Sequence, residues 1–227
     1  MQTTRIGGAG QGAYAGFNLA THVGDEPEHV AANRAALMSA LSLPAAPCWL
    51  EQVHGTRTQQ LPSTACDAAD AAWTASAGQV CAVMTADCLP VLFCDEAGSC
   101  VAAAHAGWRG LADGVLEATI AAMPVAASQL MAWLGPAIGP RAFEVGTDVR
   151  ARFVGIDASD AQHFVAAADA DKYHADIYGL ARARLRRAGL RNLSGGGLCT
   201  YSDADRFYSF RRDRVCGRMA SLVWLQP

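Results

Sequence analysis

The sequence predicts an α+β protein built in layers, and three observations carry that expectation. Residues 79–110 hold two apolar runs, a polar turn, a third apolar run and a glycine-flanked His-Trp-Arg, so the segment from 90 to 105 demands antiparallel pairing. Strand-like segments cluster at 47–105 and again at 129–134 and 198–225, with helical stretches between the clusters. No strand leads into a G-x-G-x-x-G loop that opens a helix, which argues against a parallel doubly wound sheet.

Residues 3–27 are rich in Gly, Ala and Thr without a sustained period and predict loops, with Asn18, His22 and Asp25 as their polar members. Residues 28–41 carry Val30, Leu37, Met38 and Leu41 at helical spacing and predict an amphipathic helix with Arg34 near its middle. Residues 47–53 predict a short strand, which ends on His54-Gly55. In the central unit, 79–85 and 90–94 read as buried strands, 95–99 as hairpin-turn chemistry and 100–104 as the return strand. A turn centred on Ala97 puts His105 opposite Leu89 and diagonal to Cys88, within roughly 5 to 8 Å. Gly107 permits a sharp turn, residues 111–123 predict a helix, and Arg109 therefore stands at a helix N-terminus suited to an anion such as phosphate.

Further along, 129–134 predicts a strand, GPAIGP a rigid loop followed by Glu144, and 147–153 a short helix. Residues 176–189 predict a helix whose Arg182, Arg184, Arg186 and Arg187 form a solvated face. Gly195 to Gly197 make a loop, and 207–210 and 219–225 predict closing strands.

At 52% hydrophobic and 17% charged residues, the chain can bury a sizeable core, expected as one domain over 1–227. A net charge of −3 argues against a nucleic-acid partner. The absence of a long apolar run or hydrophobic leader predicts no membrane partner and a cytoplasmic location. Composition sets no oligomeric state. The eight cysteines are expected to be reduced, with Cys81, Cys94 and Cys100 as small core residues, whereas Cys88 follows an acid in a turn.

His54, Cys88 and His105 make a plausible three-ligand set for zinc, and three protein ligands leave the open position of a catalytic site. The same residues also allow a Cys88 nucleophile with His105 or His54 as its base, or a zinc-stabilised binding module.

GFNLATHVGD, NRAAL, QVHG, TADCLPVL, HAGWRG, LGPAIGP with FEVG, and CT with FYSFRRD and GRMA occur here in that order. Together they resemble the multicopper polyphenol oxidase (laccase-like) YfiH family, over nearly the whole chain. The resemblance implies a four-layer α/β/β/α sandwich with two mixed, largely antiparallel sheets. It implies His54, Cys88 and His105 as zinc ligands, and phosphorolysis of adenosine, inosine, guanosine and methylthioadenosine, with adenosine deaminase activity besides. Its partners would be a purine nucleoside and phosphate. Arg34 and Arg109 are then candidates to bind phosphate, Trp108, Phe143 or Phe210 to stack on the purine, and Asp87, Glu51 or Glu144 to move protons. Copper is the alternative metal, for a polyphenol oxidase with Met84 as axial ligand, although six histidines are few for a laccase. The third alternative is a Cys-His hydrolase editing peptidoglycan precursors. Relatives usually carry a strand's worth of residues before the TTR segment that Met1 here nearly abuts, which puts an edge strand in doubt but not the three ligands.

Overall fold

A computed structural model describes residues 1–226. Its elements are α1 (Pro27–Ala40), β1 (Cys48–Trp49), β2 (Thr58–Leu61), β3 (Ala71–Thr74), β4 (Val80–Thr85), β5 (Leu89–Asp95) and β6 (Val101–Ala106). There follow α2 (Trp108–Asp113), α3 (Val115–Ala122), β7 (Leu130–Leu134), β8 (Glu144–Gly146), α4 (Thr147–Ile156), β9 (Phe164–Ala166) and β10 (Lys172–Ala175). The chain closes with α5 (Ile177–Arg187), β11 (Asn192–Gly195), α6 (Phe210–Asp213) and β12 (Met219–Trp224).

Strands β4, β5 and β6 are apolar almost without alternation because both of their faces are buried. A six-stranded mixed sheet runs in the order β11-β7-β5-β6-β3-β2, and a three-stranded sheet runs β1-β4-β12. The two sheets stack through Cys81, Val83, Leu92 and Ala103. Leu89, Val91 and Phe93 turn the other way, into a core shared with α2, α3 and α5. Val80, Ala82 and Met84 face Leu19, Leu37 and Leu43 on the α1 side. The result is the expected helix, sheet, sheet, helix layering. Strands β8, β10 and β9 add a third, antiparallel sheet, unexpected from the sequence because these strands are short and half polar.

Several expectations are corrected. His105 pairs with Pro90 and Leu89 with Ala106, one residue off the expected register. The turn itself shifts it: Asp95 accepts from the Ser99 and Cys100 N–H groups, and Gly98 takes φ +67. The helix expected at 111–123 is two helices, broken at Gly114 with φ +102. Residues 207–209 lie in a loop ahead of α6, with Tyr208 donating from its hydroxyl to the Tyr14 and Ala15 carbonyls. Arg184 and Arg187 leave the expected solvated face and pair with Glu117 at 2.7 Å and Asp160 at 2.8 Å. Cys48 and Cys66 are joined by a disulfide, so the expectation of eight reduced cysteines fails at that pair. The N-terminal residues run along the free edge of β12, where the Thr3 N–H donates to Ala220 and the Leu222 N–H to Met1. Among the described residues no helix is long and apolar enough to cross a membrane.

Candidate metal centre and its cavity

His54, Cys88 and His105 reach one point from three separate elements. His54 follows β1 in a turn with φ +61, Cys88 sits in the turn between β4 and β5, and His105 lies near the end of β6. One possible ligand atom from each falls within 4.8 Å of the others. His54 Nε2 and Cys88 Sγ are 3.7 Å apart, and the imidazoles meet edge to face at 4.8 Å between centroids. Zinc–nitrogen and zinc–sulfur bonds at a tetrahedral angle place N and S about 3.6 Å apart, so His54 Nε2 and Cys88 Sγ already stand at the spacing of two ligands of one metal ion, with His105 beside them.

A residue with no marked motif in the sequence organises this point. Asp70 is fully buried, and its Oδ1 accepts from His105 Nδ1 at 2.8 Å and from the His54 N–H at 2.9 Å. Its Oδ2 accepts from the N–H groups of Gly55 at 2.6 Å and Val53 at 3.2 Å. One carboxylate therefore fixes the His105 tautomer, leaving Nε2 as the ligand atom, and also holds the left-handed turn that presents His54. The only trace in the sequence is the second of two aspartates in the alanine-rich stretch DAADAA.

The Cys88 turn is held in a similar way. Asp87, with φ +95, accepts from Thr200 Oγ1 at 2.6 Å and from the Arg211 N–H at 2.6 Å. Gly107 closes the site from above: a Cβ there would stand 2.5 Å from His54 Cδ2 and 3.1 Å from Cys88 Sγ. Its φ of −62° suits any residue, so the need for glycine is steric. Gly107→Ala is expected to fold with a melting temperature within a few degrees of the parent but to lose at least about tenfold in metal affinity, read by competition with a chromogenic chelator.

Charge follows from the geometry. Burial disfavours the Cys88 thiolate, but the charge and hydrogen bonds of His105 and His54 outweigh it and bring the thiol down to about 6. His105 moves oppositely: burial disfavours its cation, yet the Cys88 thiolate and Asp70 push its pKa up.

The three residues open into a cavity of about 470 Å³, within the usual range for small-molecule sites. Its walls include His22, Trp108, Phe143 and Phe210 and four arginines, Arg109, Arg211, Arg214 and Arg218. Arg109 stacks on Trp108 at 4.5 Å, Arg211 on Phe143 at 5.6 Å and Arg218 on Phe210 at 5.7 Å. Among the described residues none of these four arginines forms an ion pair. The one acidic side chain in the lining is Asp87, whose oxygens are already engaged. The cavity therefore carries an excess of positive charge, four guanidiniums to one carboxylate, between apolar walls.

Of the candidates read from sequence, Arg109, Asp87, Met84 and the three aromatics line the cavity. Arg34 stands behind it: Nε donates to the Leu19 carbonyl at 2.9 Å and the guanidinium stacks on Trp49 at 4.4 Å. Glu51 and Glu144 are exposed and lie outside the lining. His22, Gln52, Arg211, Arg214 and Arg218 were missed, because their segments have no period and meet at the cavity only through the fold.

A family model described as multi-copper polyphenol oxidoreductase laccase matches residues 1–226. The chain belongs to this laccase-like family. Among its relatives is the Escherichia coli (strain K12) protein named purine nucleoside phosphorylase YfiH, 52% identical over 98% of this chain and 92% of the relative. A solved Neisseria meningitidis structure superposes with a TM-score of 0.93 at 50% identity, covering 100% of this chain and 93% of that one. YlmD from Geobacillus stearothermophilus superposes equally well, at 0.93 and 30% identity, over 100% and 91%. For a family with a multi-copper description the cavity is poor in histidine, since of the six only His22, His54 and His105 line it.

Proposed function

We propose that the chain is a zinc-dependent purine nucleoside phosphorylase acting on adenosine, inosine, guanosine and methylthioadenosine, with adenosine deaminase activity besides. The observation that carries this is one cavity joining a His-Cys-His donor set to unpaired arginines and aromatic walls. The relatives named purine nucleoside phosphorylase support the same reading.

Zinc held by His54, Cys88 and His105 would supply a Lewis acid for a ligand oxygen. Arg109, at the start of α2 and free of any carboxylate, binds the attacking phosphate through its N–H fork. Trp108, Phe143 and Phe210 hold the purine against their faces and keep water from the ribose carbon while the base leaves. Arg34 acts from behind, bracing the Leu19 segment of the loop that carries His22. Residues 1–227 work as one domain and in the cytoplasm on this reading, with Met1 and the C-terminal strand paired in one sheet edge.

With zinc-loaded protein, inosine is expected to yield hypoxanthine and ribose 1-phosphate only when phosphate is supplied, and adenosine to release ammonia as well. Purine release in sulfate would indicate hydrolysis instead. The family description and the cavity position of Met84 favour copper as a second reading. It predicts oxygen uptake on phenols that copper restores and zinc does not.

The lowered Cys88 pKa gives the hydrolase alternative a discriminating measurement. Metal-free protein is expected to alkylate at Cys88 readily down to about pH 6 and more slowly below it, as the thiolate gains a proton. Zinc loading is expected to protect the same thiol at every pH where the metal stays bound. A thiol that alkylates equally with and without zinc would fit a free nucleophile and remove the metal reading.

A further inference from the structure

Phosphorolysis of a neutral nucleoside brings one anion into the cavity, and Arg109 already stands on the α2 side to receive it. Three more guanidiniums enter from another part of the chain. Arg211 and Arg214 sit in and just after α6, and Arg218 precedes β12. Arg214 is exposed, at φ +62, and its side chain makes no hydrogen bond or ion pair among the described residues. Arg211 spends one N–H on the Glu144 carbonyl at 2.8 Å, and Arg218 uses Nη1 on the Cys216 and Gly217 carbonyls at 2.8 and 3.1 Å. Both keep donors for a ligand, since each guanidinium carries five. Asp87 is the one carboxylate among the described lining residues and is turned toward Thr200 and the Arg211 main chain, and it pairs with none of the three guanidiniums, which outnumber it on this wall. The fourth group on it, His22, lies near Arg218 and Arg34; burial first and these two charges next hold its pKa below the ordinary value. A wall of this kind, facing a cavity large enough for a nucleoside, matches a second phosphate group.

We propose that Arg214 and Arg218, with Arg211, form a second anion subsite that takes the 5′-phosphate of a purine nucleoside monophosphate, distinct from the phosphate position at Arg109. The inference rests on the nucleoside reading above and extends its substrate class. The same chemistry could be met by a second inorganic phosphate, and the experiment separates the two sources.

Binding is measured without turnover, by calorimetry on the zinc-loaded full chain with inosine, inosine 5′-monophosphate and inorganic phosphate. The monophosphate is expected to bind at least about tenfold tighter than inosine at low salt, and the advantage to shrink as salt rises. Saturating inorganic phosphate should leave a measurable part of that advantage, because the two anions occupy different places. Arg214→Gln and Arg218→Gln should each cut the ratio of monophosphate to inosine affinity about tenfold, with thermal melts checking that both variants fold. Equal affinity for inosine and its monophosphate would overturn the proposal. So would complete, competitive displacement of the monophosphate by inorganic phosphate, or an affinity ratio unmoved in both variants. A separate phosphorolysis assay with inosine keeps the two ideas apart. Inosine turnover without monophosphate preference sinks only the second subsite, whereas monophosphate binding without inosine turnover sinks only the phosphorylase reading.

Discussion

Replacing Cys88 by alanine is expected to drop bound zinc far below one ion per chain and to lower phosphorolysis on the order of a thousandfold. The size follows from what is lost: Lewis-acid stabilisation is worth several kcal/mol, and each 1.36 kcal/mol corresponds to about tenfold in rate. Two imidazoles remain, but a site with two ligands loses the thiolate that carries the negative charge of the set. Cys94→Ala is the matched control. Cys94 is half-buried in β5, pairs in register with Val101 and Met131, and takes no part in the His-Cys-His cluster. Metal analysis by mass spectrometry and a coupled purine-release assay read both variants. Full zinc content in Cys88→Ala would remove Cys88 from the ligand set, and parent-like activity without zinc would remove the metal from the reaction.

The parts of this site that were legible in the sequence are those whose chemistry is local. The runs at 79–85 and 90–94 read as buried strands because both of their faces are covered, so no alternation blurs the signal. Cys88 stood out because it follows an acid in a turn, and His105 because it nearly ends a strand; His54 was expected to end a strand over 47–53, of which the structure keeps only Cys48–Trp49, with His54 in the turn beyond it. What could not be read were facts about pairing across the chain. The one-residue register shift of His105 depends on how Asp95 caps its own turn. The arginines near the C-terminus became cavity residues only because β12 lies beside β4, which brings α6 over the Cys88 turn. Arg184 and Arg187 looked solvated because their partners, Glu117 and Asp160, are distant in sequence and only the fold places them alongside. Asp70 was hidden for the same reason, since its four hydrogen bonds go to residues before β2 and at the end of β6.

Asp70→Asn is accordingly expected to do more damage to the metal site than substitution of any of the cavity arginines, lowering zinc affinity about 10- to 100-fold. An amide can keep one oxygen toward His105 and the His54 N–H, but its NH₂ then faces the Val53 and Gly55 N–H groups. Donors would meet donors in a buried place, and the left-handed turn at His54 would lose the contact that holds it. In metal-free protein the charges add a pH signature. Burial alone would raise the Asp70 pKa, yet the His105 hydrogen bond and charge and the Gly55 and His54 N–H groups hold it below the ordinary value. The pair therefore stabilises the fold above the unfolded Asp pKa, and that part is lost as pH falls through the lowered folded value. His105 has its pKa raised to about 9, so its share is complete below the unfolded His value and is lost as pH rises toward 9. Removing one partner of a buried pair costs about 3 to 5 kcal/mol. Chemical denaturation of the metal-free variant should show that deficit at about pH 5 to 6, inside the window that both shifts define, and a smaller one at pH 9 and above. A deficit that is the same at all pH values would mean that Asp70 holds the turn only through its neutral hydrogen bonds, with no charge pairing to His105.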